Sequence, residues 1–262
     1  MLFINTRPTK RAKSLTAYLQ HQLIDVIDLP LLELVAKPLT AKEQHMLQHI
    51  FHVKAIVLVS EEAVNYGLST LSTMADLADI SKLPIVWLAV GEKTADCFRQ
   101  TWQTFNDTQP PNVTFPLDKH QQNNEGLLNL ADIQALKQGD MLQIWRGEGG
   151  RELLSNQLLA KGIKVQLINF YQRILPTDTI KKFDDLQNQW REPTPKTVLI
   201  SSLTAWQHWQ TLLNQHHLSP QDFHYLVLQQ RIANLMPFDL NVKVINDLHG
   251  ETILQILNDN AL

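Results

Sequence analysis

Three glycines interrupt the chain where the apolar run 140–147 (DMLQIWRG) meets a helix-forming string, in the turn Gly147-Glu148-Gly149-Gly150-Arg151. A strand that enters a helix through such a turn presents main-chain N–H groups without crowding side chains, and these groups bind phosphate or carboxylate. Glu152 occupies the third glycine position of a G-x-G-x-x-G fingerprint, and no G-x-x-x-x-G-K-[ST] sequence occurs. The turn therefore predicts an anion site that is not a standard nucleotide site. A tight turn that uses glycine only for its backbone geometry is the alternative.

Polar residues also follow several other apolar runs, at or near the start of a predicted helix. These positions are Thr6, Arg7, Ser60, Gly91, Thr94, Ser201 and Ser202. A hydroxyl at a helix start is most often an N-cap. In parallel sheets, however, the carboxyl ends of the strands share one edge, and ligands bind there. This pattern is compatible both with helix caps and with a shared binding site.

Three histidines lie on one helix face, because His45, His49 and His52 are spaced i, i+4, i+7. Two histidines four apart can share a zinc ion, but no H-E-x-x-H pattern accompanies them. We interpret them as a solvated helix face and predict no metal site.

Other reactive or aromatic residues are interpreted as packing. Cys97 lies in the middle of a predicted helix and is expected to be a core thiol. Trp206 and Trp209 are three apart and predict a packed helix face. No Ser/His/Asp arrangement is recognisable, because such residues are brought together by the fold and not by sequence spacing.

The composition bounds the class of protein. The 262 residues are 44% apolar and 19% charged, which is typical of globular proteins, and the formal charge of -3 argues against nucleic-acid binding. The single cysteine excludes an intramolecular disulfide and suits a reducing compartment. The N-terminal sequence lacks the features of a signal peptide, and no apolar run reaches the roughly 18 residues of a membrane span. We therefore expect a cytoplasmic protein with no membrane or nucleic-acid partner.

Strand-like and helix-like segments alternate along the chain, which predicts βαβ units and parallel sheets. Strands are expected at 2–6, 25–30, 55–60, 84–91, 112–116, 140–147, 164–175, 196–202, 224–229 and 242–247. Helices are expected at 9–20, 41–50, 93–102, 123–133, 149–162, 178–191 and 203–215, and from residues 61, 231 and 251. The runs VLVS and VLIS are apolar at consecutive positions, which is typical of strands covered by helices on both faces.

Two extended segments, 31–37 and 164–175, break this alternation, and the second is long for a strand. They are able to pair as a two-stranded connector. The chain would then form a discontinuous domain from 1–37 and 172–262, with residues 38–171 inserted as a second domain. One continuous large sheet is the alternative.

Seven short motifs occur in an order that is similar to the uroporphyrinogen-III synthase family, over nearly the whole chain. They are TRP (6–8), LVSEEAV (58–64), LAVGEKTA (88–95), NNEGLL (123–128), WRGEGGRELL (145–154), NFYQR (169–173) and VLISSLTAW (198–206). Each motif is short, but seven in the right order and spacing are specific. The chain departs from the family at several positions. Ser60 and Ser201 stand where Thr is usual, Glu62 and Asn124 replace the usual Asn and Ser, and Gln229-Gln230 stand where Ser-Glu is common.

The resemblance implies two Rossmann-like or flavodoxin-like parallel-sheet α/β domains joined by a two-stranded β connector, with an active-site cleft between the domains. It implies a lyase of tetrapyrrole and haem biosynthesis that cyclises hydroxymethylbilane to uroporphyrinogen III, with loss of water and inversion of the terminal pyrrole. No metal or organic cofactor is implied. The enzyme that precedes it in the pathway is a candidate partner.

The resemblance also implies roles for individual residues. Tyr171 would donate a proton to the departing hydroxyl, with its own hydroxyl facing an open cleft, and Thr94 would assist or bind a carboxylate. Packing of Tyr171 is the alternative. The expected substrate-binding residues are Thr6, Arg7, Ser60, Gly91, Arg146, Gly147, Gly149, Gly150, Ser201 and Ser202. A non-enzymatic two-domain binder of a tetrapyrrole or another polycarboxylate is the competing function.

Overall fold

The computed structural model describes residues 1–150 and 152–259. The chain forms two compact units. The first comprises Met1–Glu33 and Arg173–Leu262, and the second comprises Leu34–Gln172. The sequence places the corresponding boundaries at 37/38 and 171/172. Whether each unit is a domain that folds independently remains a prediction.

Eleven strands and thirteen α-helices lie within the described residues. The strands are β1 (Leu2–Asn5), β2 (Asp25–Asp28), β3 (Glu33–Ala36), β4 (Ala55–Leu58), β5 (Val86–Ala89), β6 (Val113–Thr114), β7 (Met141–Gly147), β8 (Lys164–Ile174), β9 (Lys196–Ile200), β10 (His224–Leu228) and β11 (Asn241–Ile245). The helices are α1 (Thr9–His21), α2 (Ala41–Gln48), α3 (Glu61–Met74), α4 (Leu77–Ile80), α5 (Glu92–Phe105), α6 (Asn124–Leu128), α7 (Ala131–Gln134), α8 (Leu153–Ala160), α9 (Thr177–Asp185), α10 (Gln187–Trp190), α11 (Leu203–Gln215), α12 (Gln230–Ala233) and α13 (Gly250–Asp259). Short 3₁₀ turns span Ile50–His52, Lys119–Gln121 and Pro220–Asp222. Within the described part of the chain, no helix has the length and apolar character needed to cross a membrane.

The first unit contains a five-stranded sheet in the order β11-β10-β9-β1-β2, with all its pairings parallel. Counted within the unit, this is the 2-1-3-4-5 order of flavodoxin-like folds. The chain builds the sheet outward from β1 to β2 and then returns to the other side of β1. The order therefore reverses between β1 and β9.

The second unit contains a six-stranded sheet in the order β3-β8-β7-β4-β5-β6, and its pairings from β4 to β8 are parallel. Without β3, the order is the 3-2-1-4-5 arrangement of Rossmann-like folds, and it reverses between β4 and β7. The prediction of two parallel-sheet α/β units is confirmed.

The two extended segments that break the alternation are neighbours in the structure. They form β3 and β8, at one edge of the second unit's sheet, where the Lys37 amide donates to the Phe170 carbonyl at 2.9 Å. β8 keeps its unusual length of 11 residues and serves the six-stranded sheet. That β3 and β8 also act as a connector remains a prediction.

Each sheet is covered on both faces, as the apolar strands predict. In β4, Ile56 and Leu58 enter one apolar cluster while Ala55 and Val57 enter another, because successive side chains point to opposite faces. The first unit alternates in the same way, and Trp206 and Trp209 are buried in one of its clusters, as predicted. These cores fix both sheets and leave the strand ends to carry the polar groups.

Candidate functional site

The reversal of strand order in the second unit brings several predicted site residues together. In open α/β sheets, ligands bind outside the carboxyl ends of the strands at such a reversal. Ser60 follows β4, Gly147 ends β7, and Tyr171 lies on the adjacent β8. The Tyr171 hydroxyl is 3.0 Å from Ser60 Oγ, so a hydroxyl pair stands at the reversal point.

A β-bulge sets the position of Tyr171. Along the β7–β8 ladder, Arg146 pairs with Asn169, but the next residue, Gly147, pairs with Tyr171. Phe170 is the extra residue, and its side chain is buried in the core of the unit. Bulges bend a strand and redirect its side chains, and they are common beside active sites.

The position of the Tyr171 ring leaves no room for a side chain at residue 147, so this residue must be glycine. A Cβ added to this glycine would lie 2.4 Å from Tyr171 Cε2, which is closer than real Cβ contacts. The Tyr66 ring packs nearby, with ring centroids 6.3 Å apart. Gly147 thus lets the tyrosine ring lie directly on the end of β7.

The expectation that the Tyr171 hydroxyl faces an open cleft is wrong, because Tyr171 is only 3% exposed. Its ring lies on Gly147, and its hydroxyl is within hydrogen-bonding distance of Ser60. Ser60 Oγ also accepts from the Ala63 amide at 3.1 Å and caps α3, as predicted for a hydroxyl at a helix start. A single serine therefore orders both the helix and the tyrosine.

The glycine turn is not the first turn of a helix. The prediction of a helix from residue 149 is wrong, because α8 begins at Leu153. Gly149 has φ +67, a left-handed conformation that interrupts helical geometry. At the far end of the helix, the Gly162 and Ile163 amides donate to the Leu159 and Leu158 carbonyls in the pattern of a Schellman cap.

Arg146 holds the turn from inside. Its side chain is buried, with 6% exposed. Its Nε donates to the Gly147 carbonyl at 3.3 Å, and its Nη2 donates to the Gly150 carbonyl. A Cβ on Gly150 would lie 2.8 Å from Nη2, so this glycine makes room for the guanidinium. These contacts give Arg146 a role in shaping the turn, whereas a contact with substrate remains a prediction.

The Glu148 main-chain N–H donates to the Tyr171 carbonyl at 2.8 Å, and this bond continues the ladder past the bulge. The Glu148 carboxylate pairs with Lys37 at 3.0 Å. Arg151, which begins the RELL part of the motif, lies outside the described residues. The turn is thus joined to β8 by its backbone, which adds to the order around Tyr171.

Gly91 and Thr94 lie after β5, the strand beside β4. Gly91 precedes α5 and is buried, and a Cβ on it would lie 2.6 Å from Gln122 Oε1. Thr94, in the first turn of α5, is 5% exposed. Both residues lie at the expected edge of the sheet, although they do not flank its reversal point. Their contacts with substrate remain predictions.

The reversal point of the first unit is formed by residues after β1 and β9. Thr6 Oγ1 donates to the Leu199 carbonyl and joins these two strands. Ser202 Oγ accepts from the Ala205 amide at 3.1 Å and caps α11. The two hydroxyls therefore have structural partners within the unit, and their substrate contacts, like that of Ser201, remain predictions.

Arg7 gives this second set of strand ends a positive charge. Its guanidinium is partly buried, and burial together with the nearby Arg11 lowers the pKa of Arg7. The first turn of α1 contains no acidic residue. Over residues 1–150 and 152–259, neither arginine forms a salt bridge. A helix start with two like charges and no carboxylate partner suits an anionic ligand.

The three histidines behave as interpreted, whereas Cys97 is not a fully buried core thiol. His45, His49 and His52 are exposed, as predicted for a solvated face. Cys97 packs against the core of the second unit, and its Sγ lies 3.4 Å from Asn65 Oδ1. Burial raises the pKa of the Cys97 thiol, which favours the protonated thiol over the thiolate.

Sequence reasoning did not select Glu43, whose side chain is buried although it is acidic, with 6% of the residue exposed. Its Oε2 accepts from the Thr40 amide at 3.0 Å in a capping box at the start of α2. Its Oε1 accepts from the Asn169 main-chain amide at 3.0 Å and from Asn169 Nδ2 at 2.9 Å. The T-x-x-E spacing of Thr40 and Glu43 was a visible signal for the cap. Nothing in the sequence indicated the contact with β8.

Burial alone would raise the pKa of Glu43, because it disfavours the charged form. The hydrogen bonds from Thr40 and Asn169 outweigh this effect and lower the pKa below its ordinary value. The carboxylate is therefore held in its charged form by the contacts that it makes.

Comparison with known proteins identifies the family of the chain. The family model described as uroporphyrinogen-III synthase HemD matches residues 13–237. A relative from Salmonella typhimurium strain LT2, called uroporphyrinogen-III synthase, is 25% identical over 270 residues, which cover 98% of this chain and 100% of the relative.

Solved structures show the same fold. A mutant uroporphyrinogen III synthase from the extremely thermophilic bacterium Thermus thermophilus has a TM-score of 0.59 and 13% identity, with 98% of each chain covered. The uroporphyrinogen-III synthetase of Helicobacter pylori 26695 has a TM-score of 0.56 and 14% identity, again with 98% of each chain covered. The family match spans most of the chain, and the described fold agrees with it. The chain belongs to the uroporphyrinogen-III synthase family of lyases.

Proposed function

We propose that this chain closes hydroxymethylbilane to uroporphyrinogen III, with Tyr171 donating a proton to the departing hydroxyl and the start of α1 binding substrate carboxylates. The observation that carries the proposal is the 3.0 Å contact between the Tyr171 and Ser60 hydroxyls at a reversal of strand order. A phenol in this place has a fixed direction and little bulk water around it. That arrangement suits a proton donor better than a packing aromatic.

The proposed chemistry starts with the loss of the substrate's hydroxyl as water. The carbon–oxygen bond breaks, its electron pair stays on the oxygen, and the proton of Tyr171 completes the water molecule. The pyrrole nitrogen stabilises the carbocation that remains. The substituted carbon of the terminal pyrrole then attacks to form a spiro intermediate, and rearrangement inverts that ring. The carbon proton lost on closure restores the phenol, so protons balance.

A phenol is a weak acid with an ordinary pKa near 10, so the donor's position matters more than its acidity. The pyrrole nitrogen provides much of the driving force for loss of the hydroxyl. The task of the protein is then to hold the linear tetrapyrrole so that the substituted carbon attacks. Spontaneous closure uses the other carbon and gives isomer I.

Substrate binding is proposed to rely on local positive charge. Hydroxymethylbilane carries eight carboxylates, whereas the chain has a formal charge of -3, so bulk attraction is absent. Arg7, which precedes the N-cap of α1, and Arg11, in the first turn of this helix, provide charge without a salt-bridge partner among the described residues. That one substrate engages strand ends of both units is part of the proposal and rests on the family resemblance.

The cytoplasmic location is also a proposal, supported by the single cysteine and the family's small-molecule substrate. Activity without a metal or organic cofactor and the pathway's preceding enzyme as a partner are proposed from the family resemblance. The proposal includes no nucleic-acid or membrane partner.

The direct test is an assay in which hydroxymethylbilane is generated enzymatically and the product isomers are separated. We expect isomer III to predominate and to form faster than the spontaneous isomer I. A binder without turnover would give only isomer I at the spontaneous rate, whether or not it holds the tetrapyrrole. That result would reject the proposed function.

A further inference from the structure

One carboxylate joins two elements of the second unit that are far apart in sequence. Glu43 lies in the first turn of α2, and its acceptor oxygens are divided between two tasks. Oε2 completes the capping box with Thr40, and Oε1 receives both amides of Asn169. Because Glu43 and Asn169 are 126 positions apart, the contact fixes long-range geometry and not merely a helix end.

The contact lies at the start of the bulge on β8. Asn169 is the last residue before the ladder changes register, and Tyr171 is the first residue after it. A bulge disrupts the strand ladder and leaves backbone groups in need of other partners. Here the Glu43 carboxylate accepts from the Asn169 backbone amide, so a side chain supports the irregular strand.

The bulge is what places the tyrosine. Without the extra residue, the side chains after Asn169 would move to the opposite faces of the sheet, because their direction alternates along a strand. Tyr171 would then lose its packing on Gly147 and its contact with Ser60, both of which it makes in the shifted register. Support for Asn169 is therefore support for the direction of the Tyr171 hydroxyl.

We infer that Glu43 is a positioning residue for the reaction, acting through the bulge at Asn169–Tyr171 to hold the Tyr171 hydroxyl beside Ser60. This inference rests on the proposed function, because it deepens the role of Tyr171 as proton donor. Glu43 is not among the residues predicted to bind substrate.

The test compares two changes at the same capping box. Glu43→Gln keeps the size of the side chain but leaves one acceptor oxygen where the carboxylate has two. Thr40→Val removes the cap hydroxyl of the same helix, including its 2.8 Å hydrogen bond to Glu43 Oε2, and leaves the Asn169 contacts on Oε1 in place. We expect Glu43→Gln to lower kcat by up to about 10²-fold, with little change in KM and a smaller share of isomer III. Thr40→Val should lower the melting temperature yet keep the wild-type kcat and isomer ratio.

Two results would overturn the inference. One is a folded Glu43→Gln protein with wild-type kcat and isomer III share. The other is a Thr40→Val protein that loses turnover as strongly as Glu43→Gln. If Glu43→Gln does not fold, Asn169→Ala takes its place, because it removes only the Nδ2 contact and keeps the main-chain bond. It should shift kcat and the isomer ratio in the same direction by a smaller factor, and unchanged values would reject the inference.

A double-mutant cycle separates positioning from general damage. If Glu43 acts through the Tyr171 hydroxyl, adding Glu43→Gln to Tyr171→Phe lowers kcat no further than Tyr171→Phe alone. If Glu43 has only a structural role, its effect multiplies with that of Tyr171→Phe, which would contradict the inference.

A readout without substrate keeps this inference distinct from the proposed function. Tyrosine labelled with ¹³C at Cζ gives one resonance for each ring, and the Tyr171 resonance is assigned by its loss in Tyr171→Phe. We expect this resonance to move in Glu43→Gln and to stay in place in Thr40→Val. A wild-type protein that forms no isomer III rejects the proposed function, whereas an unmoved resonance in Glu43→Gln rejects the positioning role.

Discussion

The two units place their strand-order reversals in contrasting surroundings. At the reversal between β4 and β7, the polar side chains form hydrogen bonds within the unit. Ser60 bonds with Tyr171 and Ala63, and Arg146 bonds with the glycine turn. At the reversal between β1 and β9, Arg7 stands near Arg11, and no salt bridge to either is present among the described residues. The polar side chains at the second unit's reversal bond to one another or to the backbone. At the first unit's reversal, Arg7 and Arg11 have no salt bridge among the described residues.

This difference is the basis for a proposed division of labour between the units. Preorganised, buried groups serve chemistry, because they need no rearrangement when the reaction occurs. Unpaired cations serve binding, because a carboxylate relieves the repulsion between them. We propose that the reaction belongs to the second unit and the recognition of carboxylates to the first. The predictions that follow test this comparison, from the largest expected effect to the smallest.

Tyr171→Phe removes only the hydroxyl and keeps the ring on Gly147. If the hydroxyl donates the proton, kcat should fall by about 10²–10⁴-fold, with more isomer I in the product. Since the hydroxyl is buried and bonded to Ser60, we also expect a loss of roughly 0.5–1.5 kcal/mol in the free energy of unfolding. Kinetics, isomer analysis and denaturant unfolding measure the three quantities. Wild-type kinetics would show that Tyr171 is a packing residue.

Gly147→Ala places a methyl group 2.4 Å from the Tyr171 ring and must displace it. Turnover should fall by up to about 10²-fold, because small misplacements of reacting groups are costly. Overpacking should destabilise the fold by roughly 1–3 kcal/mol. Gly139→Asn is the control, since Gly139 has φ +90, nothing lies within 4 Å of its added Cβ, and asparagine tolerates positive φ. A wild-type kcat in folded Gly147→Ala would contradict the claim that turnover depends on the position of the Tyr171 ring.

Ser60→Ala removes a helix cap and the partner of the Tyr171 hydroxyl together. Loss of the cap should cost about 0.5–2 kcal/mol of stability. Loss of the partner should lower kcat by roughly tenfold, a change in barrier of about 1.4 kcal/mol. Asp76→Ala removes the cap of α4 and should lower only stability, since Asp76 accepts from Ala78 and lies outside the proposed site. If Ser60→Ala and Asp76→Ala have the same kcat, Ser60 serves only as a helix cap.

Glu43 predicts a pH-dependent contribution to stability. Its pKa in the folded state lies below the ordinary value of 4.5, so its contribution is fully present above that value and is lost as pH falls through the folded pKa. Unfolding of the wild type and Glu43→Gln should differ by roughly 1 kcal/mol near neutral pH. The gap should narrow on acidification below about pH 4.5. A gap that is constant across the acidic range would contradict the charged hydrogen bonds.

Much of this architecture could be predicted because periodicity and burial are local signals. The alternation predicted parallel sheets, and helix 203–215 agrees with α11. The predicted start of α8 was wrong because Gly149 adopts a left-handed conformation and Arg146 binds the carbonyls of Gly147 and Gly150. Neither feature follows from residue type alone.

The site was harder to predict than the fold, since its contacts join distant positions. Strand ends at a common edge were foreseeable from topology. The pairing of Ser60 with Tyr171 spans 111 positions, and the bulge that enables it changes only the ladder's register. Tyr171 was expected to face an open cleft because the sequence does not show which ring Gly147 accommodates.

The most direct test of the division of labour is to measure kcat and KM for Arg7→Gln and Tyr171→Phe in parallel, with hydroxymethylbilane generated enzymatically. Loss of a charged contact with a carboxylate should raise KM roughly 10- to 100-fold, corresponding to about 1.5–3 kcal/mol. Arg7→Gln should therefore approach wild-type kcat and isomer III share at saturating substrate, whereas Tyr171→Phe should remain slow and give more isomer I. A kcat defect in Arg7→Gln with unchanged KM, or a Tyr171→Phe protein that saturating substrate rescues, would contradict the account.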